Sequence, residues 1–274
     1  MIPSKQKREK INNYFVQFGY HTKPSFLIVG AQKAGTSALF QYLSSHSEII
    51  APPIKEMGYF SNDSLYKLRG HYYYHTNFPK PHQINKNQIT FEATPEYLYH
   101  PECAKRIFNY DPKIKIIILL REPVSRAYSA WTMYHNFHLS RNHFKLEDKR
   151  TFEEAIQNEL MNIESVNWYR DPYGYLRRGI YYDQVNNYLK VFPKDQIMIL
   201  ESNYYKLNVE LVHKEILNFI GIDNKQKLRA SNMNERKYHL KINSDTGAIL
   251  KNLFKPYNEK LFNLIGQEFD WNKN

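Results

Sequence analysis

Cysteine is almost missing from this chain of 274 residues, which carries only Cys103. One cysteine excludes an internal disulfide framework and a cysteine-built metal centre, and a reducing compartment is the simplest reading. Long apolar runs are missing as well. The longest, Ile114 to Leu120, already contains Lys115, far short of the ~20 residues that cross a membrane. The opening stretch MIPSKQKREKINNYF is basic but has no apolar segment behind the charges, so it does not read as a secretory signal, and the expected location is cytoplasmic. Repeats and low-complexity tracts are absent. With 42% hydrophobic and 15% aromatic residues, that excludes collagen, coiled coil and disorder.

Acidic residues are in the minority, 27 against 38 Lys and Arg, for a formal charge of +11 and a pI near 9.4. Such a balance suits a polyanionic ligand: nucleic acid, an acidic glycan or a phosphorylated nucleotide. The lysines, however, are scattered along the chain rather than striped on one helix face. The charge therefore permits such a ligand without identifying it. Mean hydropathy is −0.66, and the length fits one large domain. Residues 1–23 read as a polar arm and 24–274 as a single domain, with no evident linker.

Hydrophobic patterning predicts strands at Phe26–Val29, near Phe91, at Lys113–Leu120 and at Gln196–Leu200. Ile114 to Leu120 is apolar almost without interruption, as in a strand covered on both faces. Helices are predicted from Gly35 to Leu43, Ala104 to Tyr110, Pro123 to Tyr134, Thr151 to about Ile163, and Leu207 to Ile220. Thr151 and Glu154 have capping-box spacing. Gly179 to Phe192 is amphipathic, and a last helix is expected to be capped by Ser244, interrupted at Pro256 and ended at Gly266. Residues 46–88 read as irregular. Strands alternating with helices predict an α/β fold, P-loop-like and three-layered, with a central, mainly parallel sheet flanked by helices.

The most informative segment is Val29-Gly30-Ala31-Gln32-Lys33-Ala34-Gly35-Thr36-Ser37, a glycine loop between a strand and a helix. Such loops let backbone N–H groups curl around an anion, and the helix N-terminus adds roughly half a positive charge. A Walker A loop places Lys directly after the second glycine. Here Thr36 stands there and the lysine has moved inside the loop, to Lys33. The buried strand after it ends in Leu120-Arg121-Glu122-Pro123, where a nucleotide triphosphatase would present an acid for Mg²⁺. Arg121 at a strand's C-terminal end suits a second phosphate instead.

These segments resemble the sulfotransferases that use 3′-phosphoadenosine 5′-phosphosulfate (PAPS), most closely the heparan sulfate N- and 3-O-sulfotransferase branch and its bacterial relatives. FLIVGAQKAGTSAL looks like the family's 5′-phosphosulfate loop, IIILLREPVSRAYSAW like its 3′-phosphate motif, and IKEMGYFS like the segment with the catalytic glutamate. FEATPEYL and NERKYHL resemble further family blocks. The resemblance implies that Lys33, Ala34, Gly35, Thr36 and Ser37 hold the 5′ end of the donor, that Arg121 and Ser129 hold its 3′-phosphate, and that Arg236, Lys237 and Tyr238 close over it. It also implies Lys33 and Glu56 as catalytic groups, PAPS as co-substrate with adenosine 3′,5′-bisphosphate as product, no required metal, and a sugar-containing acceptor rather than nucleic acid. Ala93 departs from the pattern, since glycan-modifying relatives tend to have Lys there.

His46, His71, His75 and His100 match no family base and read as surface or packing residues. Trp168 to Tyr175 reads as an exposed aromatic loop at the acceptor mouth. Two other functions remain open at this level. A small-molecule P-loop kinase would need ATP and Mg²⁺. A non-catalytic polyanion-binding protein would explain the charge but not the presence of both Lys33 and Glu56.

Overall fold

Five short apolar runs lie side by side in the computed structural model, which describes residue 14 and residues 19–139, 144–162, 168–223 and 242–272. They are β1 (Phe26–Gly30), β2 (Ile49–Ile50), β3 (Ile89–Ala93), β4 (Lys115–Leu120) and β5 (Ile197–Glu201). They pair in the order β2-β3-β1-β4-β5, all parallel. Phe26 stands opposite Phe91 on one side and Lys115 on the other. The Phe26 and Phe91 rings stack with centroids 5.0 Å apart. Every residue of β1 is buried, as is β4 from Ile116 onward. Their unbroken apolar runs therefore reflect burial on both faces of the sheet, and the expected parallel α/β architecture is present.

The helices are α1 (Thr36–Ser44), α2 (Asp63–His75), α3 (Glu96–Tyr99), α4 (Cys103–Tyr110), α5 (Pro123–His135), α6 (Phe152–Met161), α7 (Tyr181–Leu189), α8 (Ser202–Leu207), α9 (Val209–Ile220) and α10 (Ser244–Ile265). A second apolar cluster joins α5, α6 and α10 through Ala127, Ala130, Phe152, Leu250 and Phe254. The capping box forms as its spacing predicts. Thr151 accepts from the Glu154 N–H at 3.2 Å, and Glu154 accepts from the Thr151 N–H at 2.8 Å.

The chain departs from the sequence expectation in three places. Residues 46–88 are not irregular throughout, because they hold β2 and α2. Two features hide α2: its buried residues are Tyr74 and His75, and Gly70, at φ 64°, breaks the helical period. The last helix is capped by Asn243, which accepts from the Asp245 N–H at 2.9 Å, not by Ser244. It also runs through Pro256 without interruption. Pro256 and Asn252 are both exposed, so the carbonyl that proline cannot pair faces water. Finally, Leu207 ends one helix rather than starting the next, with Asn208 between α8 and α9.

Candidate active site

β1 ends at Gly30 because the chain must pass under α3. A Cβ at Gly30 would lie 2.5 Å from the Leu98 Cβ, so only glycine fits. The register with β4 shifts here, and the Ala31 N–H reaches Leu119 O at 2.6 Å. The loop then turns back through Lys33, at φ 67°, and Gly35, at φ 108°. Gly35 is the N-cap of α1, and among the described residues no side chain caps that N-terminus and no acid stands in its first turn. Ala34 and Thr36 are buried and Ser37 is exposed. The first N–H groups of α1 therefore open onto the loop, the arrangement that receives an anion.

Arg121 follows β4, the strand beside β1. Its guanidinium Nη1 donates to Lys33 O at 3.1 Å, which ties the second predicted anion site to the first. The Tyr181 hydroxyl donates to Arg121 O at 2.9 Å. Glu122 is committed elsewhere: it caps α5, accepting from the Val124 and Ser125 N–H groups at 2.8 and 2.7 Å. A cleft of about 300 Å³ opens beside Arg121, with Ser125, Ser202, Lys206 and Trp271 in its wall together with the acids Glu122, Glu201 and Asp270. A Cβ at Gly35 would lie 3.9 Å from the Ser202 Oγ, so this cleft adjoins the glycine loop. Ser129 is four residues beyond Ser125 on α5, one turn deeper and 3% exposed. The sequence reading did not name Ser202 or Lys206. The signal for them was available, since Ser202 starts a helix directly after a buried parallel strand, as Arg121 nearly does, and such sheets bind ligands at the C-terminal ends of their strands.

Glu56 lies one strand further across the same sheet end. Its N–H donates to Ala93 O at 3.1 Å, and Ala93 pairs with Ile28 of β1. Its φ is 61°. The carboxylate is half exposed and forms an ion pair with Lys55. Lys33, Arg121 and Glu56 are thus carried by β1, β4 and the β3 edge at one end of the sheet. Arg236, Lys237 and Tyr238 lie outside the described residues.

The histidines of the middle region pack. Burial lowers His75 to about 3, and its Nε2 meets the Tyr110 hydroxyl at 2.8 Å. Burial likewise lowers His46, His71 and His100. Tyr74, Tyr97, Tyr99 and Tyr181 are buried in the protein. Trp168–Arg170 forms a short 3-10 turn. Tyr169 and Arg170 from it line a cleft of about 480 Å³ with Tyr66, Lys67, Lys105 and Arg106. Arg106 donates to Phe60 O at 2.8 Å, which joins that cleft to the Glu56 segment.

A family model described as the sulfotransferase domain matches residues 23–273. The chain is 25% identical, over 90% of its length, to the membrane-associated sulfotransferase kil1 of Dictyostelium discoideum, of which it spans 66%. It is also 25% identical over 90% of its length to mouse heparan sulfate glucosamine 3-O-sulfotransferase 5, of which it spans 74%. Among solved structures, a sulfotransferase from Alicyclobacillus acidocaldarius shares its fold with a TM-score of 0.74 at 27% identity, over 92% of this chain and all of that one.

Proposed function

The chain belongs to the sulfotransferase domain family, whose members draw on PAPS, and on that premise we propose that it moves the sulfuryl group of PAPS to a hydroxyl or amine of a sugar-containing acceptor. The observation that carries this reading is the 3.1 Å bond from Arg121 to Lys33 O. It brings two anion-receiving groups into one site, and the donor has two anionic ends.

In this reading the open N-terminus of α1, with Thr36 and Ser37, receives the 5′-phosphosulfate. Arg121 receives the 3′-phosphate, helped by Ser125 or Ser129, and Lys206 supplies further positive charge to the cleft. The acceptor oxygen or nitrogen attacks sulfur in line. A bond from it to sulfur forms, the bond from sulfur to the bridging oxygen breaks, and adenosine 3′,5′-bisphosphate departs. Lys33 stabilises the negative charge that builds on the bridging oxygen, and Glu56 takes the acceptor's proton. Preorganised charge of this kind is typically worth on the order of 10²–10³ in rate per donor, and a positioned base ~10²–10⁴.

We assign the larger cleft to the acceptor. Its Lys67 and Lys105 suit an acidic group, while Arg106 and Arg170 pair with Asp63, and Tyr66 and Tyr169 offer faces for a sugar ring. The name of one relative mentions heparan sulfate glucosamine, which supports a carbohydrate acceptor.

Thermal unfolding in EDTA, with adenosine 3′,5′-bisphosphate or ATP added separately, tests the donor site. At ~100 times its Kd a ligand adds about 2.7 kcal/mol, which raises Tm by several degrees. A shift with the bisphosphate is expected. A shift only with ATP, once Mg²⁺ is restored, would replace this reading with the kinase.

A further inference from the structure

A wholly buried carboxylate sits in the middle of the sheet. Glu92 is 0% exposed and stands opposite Leu27 of β1. Burial pushes its pKa up, against the pull of its hydrogen bonds. Among the described residues no lysine or arginine forms an ion pair with it. It is satisfied instead by three donors. The Thr94 and Tyr97 hydroxyls reach Oε1 at 2.6 and 2.7 Å, and the Tyr74 hydroxyl reaches Oε2. A carboxylate that accepts from three groups can stay charged in such a place.

The Thr94 donor is the informative one. Thr94 also holds the loop that carries Glu56, which has two tethers to the end of β3. The Glu56 N–H donates to Ala93 O at 3.1 Å and the Gly58 N–H to Thr94 Oγ1 at 3.4 Å. The second tether depends on the carboxylate. Thr94 gives its hydroxyl proton to Glu92, which leaves its oxygen free to accept from Gly58. Between these tethers the backbone is left-handed at Glu56 (φ 61°) and again at Gly58 (φ 65°). A residue with a side chain holds that conformation only where its surroundings over-determine it, and such positions cluster at working sites.

We infer that Glu92 is a positioning residue: its buried carboxylate, by way of Thr94 and Gly58, fixes the left-handed turn that presents Glu56 to the acceptor. The inference rests on the reading of Glu56 as the base. It gives β3 a role in the chemistry although four of its five residues are buried. It also accounts for an acid in a strand whose other buried positions are Thr90, Phe91 and Ala93.

Glu92→Gln keeps the shape and replaces one acceptor oxygen with a donor. Thr94→Val keeps the carboxylate, removes the Gly58 tether, and serves should the first variant fold poorly. Three measurements apply to each. Amide hydrogen exchange at Gly58 is expected to rise by about tenfold or more, with Ile28 and Ile117 in the sheet unchanged. Affinity for adenosine 3′,5′-bisphosphate is expected to hold. Turnover, read as release of the bisphosphate from PAPS in the presence of a glucosamine-containing oligosaccharide, counts transfer to sugar and to water alike. Its kcat is expected to fall on the order of 10²-fold, the effect of a small displacement of a reacting group, with KM for PAPS unchanged. In a Glu56→Gln background, Glu92→Gln should cause no further loss.

Unchanged exchange at Gly58 would overturn the tether and leave Glu56 standing. Losses that multiply in the double variant would overturn action through Glu56. Wild-type turnover in Glu56→Gln alone would remove the base itself, a failure distinct from either.

Discussion

Lys33 and Glu56 both hold left-handed backbone angles, a conformation that costs a side-chain-bearing residue about 1–3 kcal/mol. Stability and activity should therefore part company at Lys33. Lys33→Gly relieves the backbone, and after the extra entropy glycine loses on folding it is expected to gain about 1 kcal/mol in chemical denaturation. Its release of bisphosphate from PAPS should meanwhile fall on the order of 10²–10³-fold. Unchanged turnover would take Lys33 out of the mechanism. His213 offers a test of burial rather than chemistry. Burial lowers it to about 4, and its Nε2 meets the Tyr205 hydroxyl at 2.8 Å. A histidine held neutral in the folded state binds its proton more readily once unfolded, so its contribution is present above pH ~6.5 and is lost as pH falls toward about 4. Denaturation midpoints of wild type and His213→Gln should converge as pH drops through that window. A constant difference would mean that the ring titrates normally in the fold.

At the scale of elements, α6 is the cleanest case of sequence dictating structure. Thr151→Ala removes one half of a capping box whose two bonds are present, and should cost about 1 kcal/mol with no change in turnover. A loss in turnover would show that α6 reaches the site. The same legibility holds for β1, the glycine loop, β4 and Arg121. There, local chemistry and burial agree: an apolar strand before a glycine turn and a helix after it, and an arginine where a strand ends. It fails at α2, whose buried face is tyrosine and histidine, and at Asn243, where either of two adjacent polar residues could have capped the helix. Glu92 escaped for a different reason. Its partners around the Glu56 loop are distant in the chain, and no spacing rule connects them. Arg236, Lys237 and Tyr238 fall outside the described residues.

For the whole molecule, the two clefts make separable demands. Lys67 and Lys105 line the larger one, and Arg121 and Lys206 the smaller. Reversing charge with Lys67→Glu and Lys105→Glu should raise KM for an acidic oligosaccharide acceptor by about tenfold, the scale of one or two partly exposed ion pairs, and leave KM for PAPS alone. Equal effects on both constants would show that the clefts are not divided between donor and acceptor. The order of the strands has a further consequence, in time rather than in space. β1 is the central strand, yet its partners β3 and β4 are made long after it. A ribosome adding ~5–20 residues per second needs roughly 5–20 s to pass from Gly30 to Leu120. Through that interval the most apolar edge of the nascent sheet has nothing to pair with, and the glycine loop has no Arg121 to lock it. Fragments ending before β4 should therefore be caught by chaperones rather than fold, and the anion site should appear late, in one step, when β4 docks beside β1.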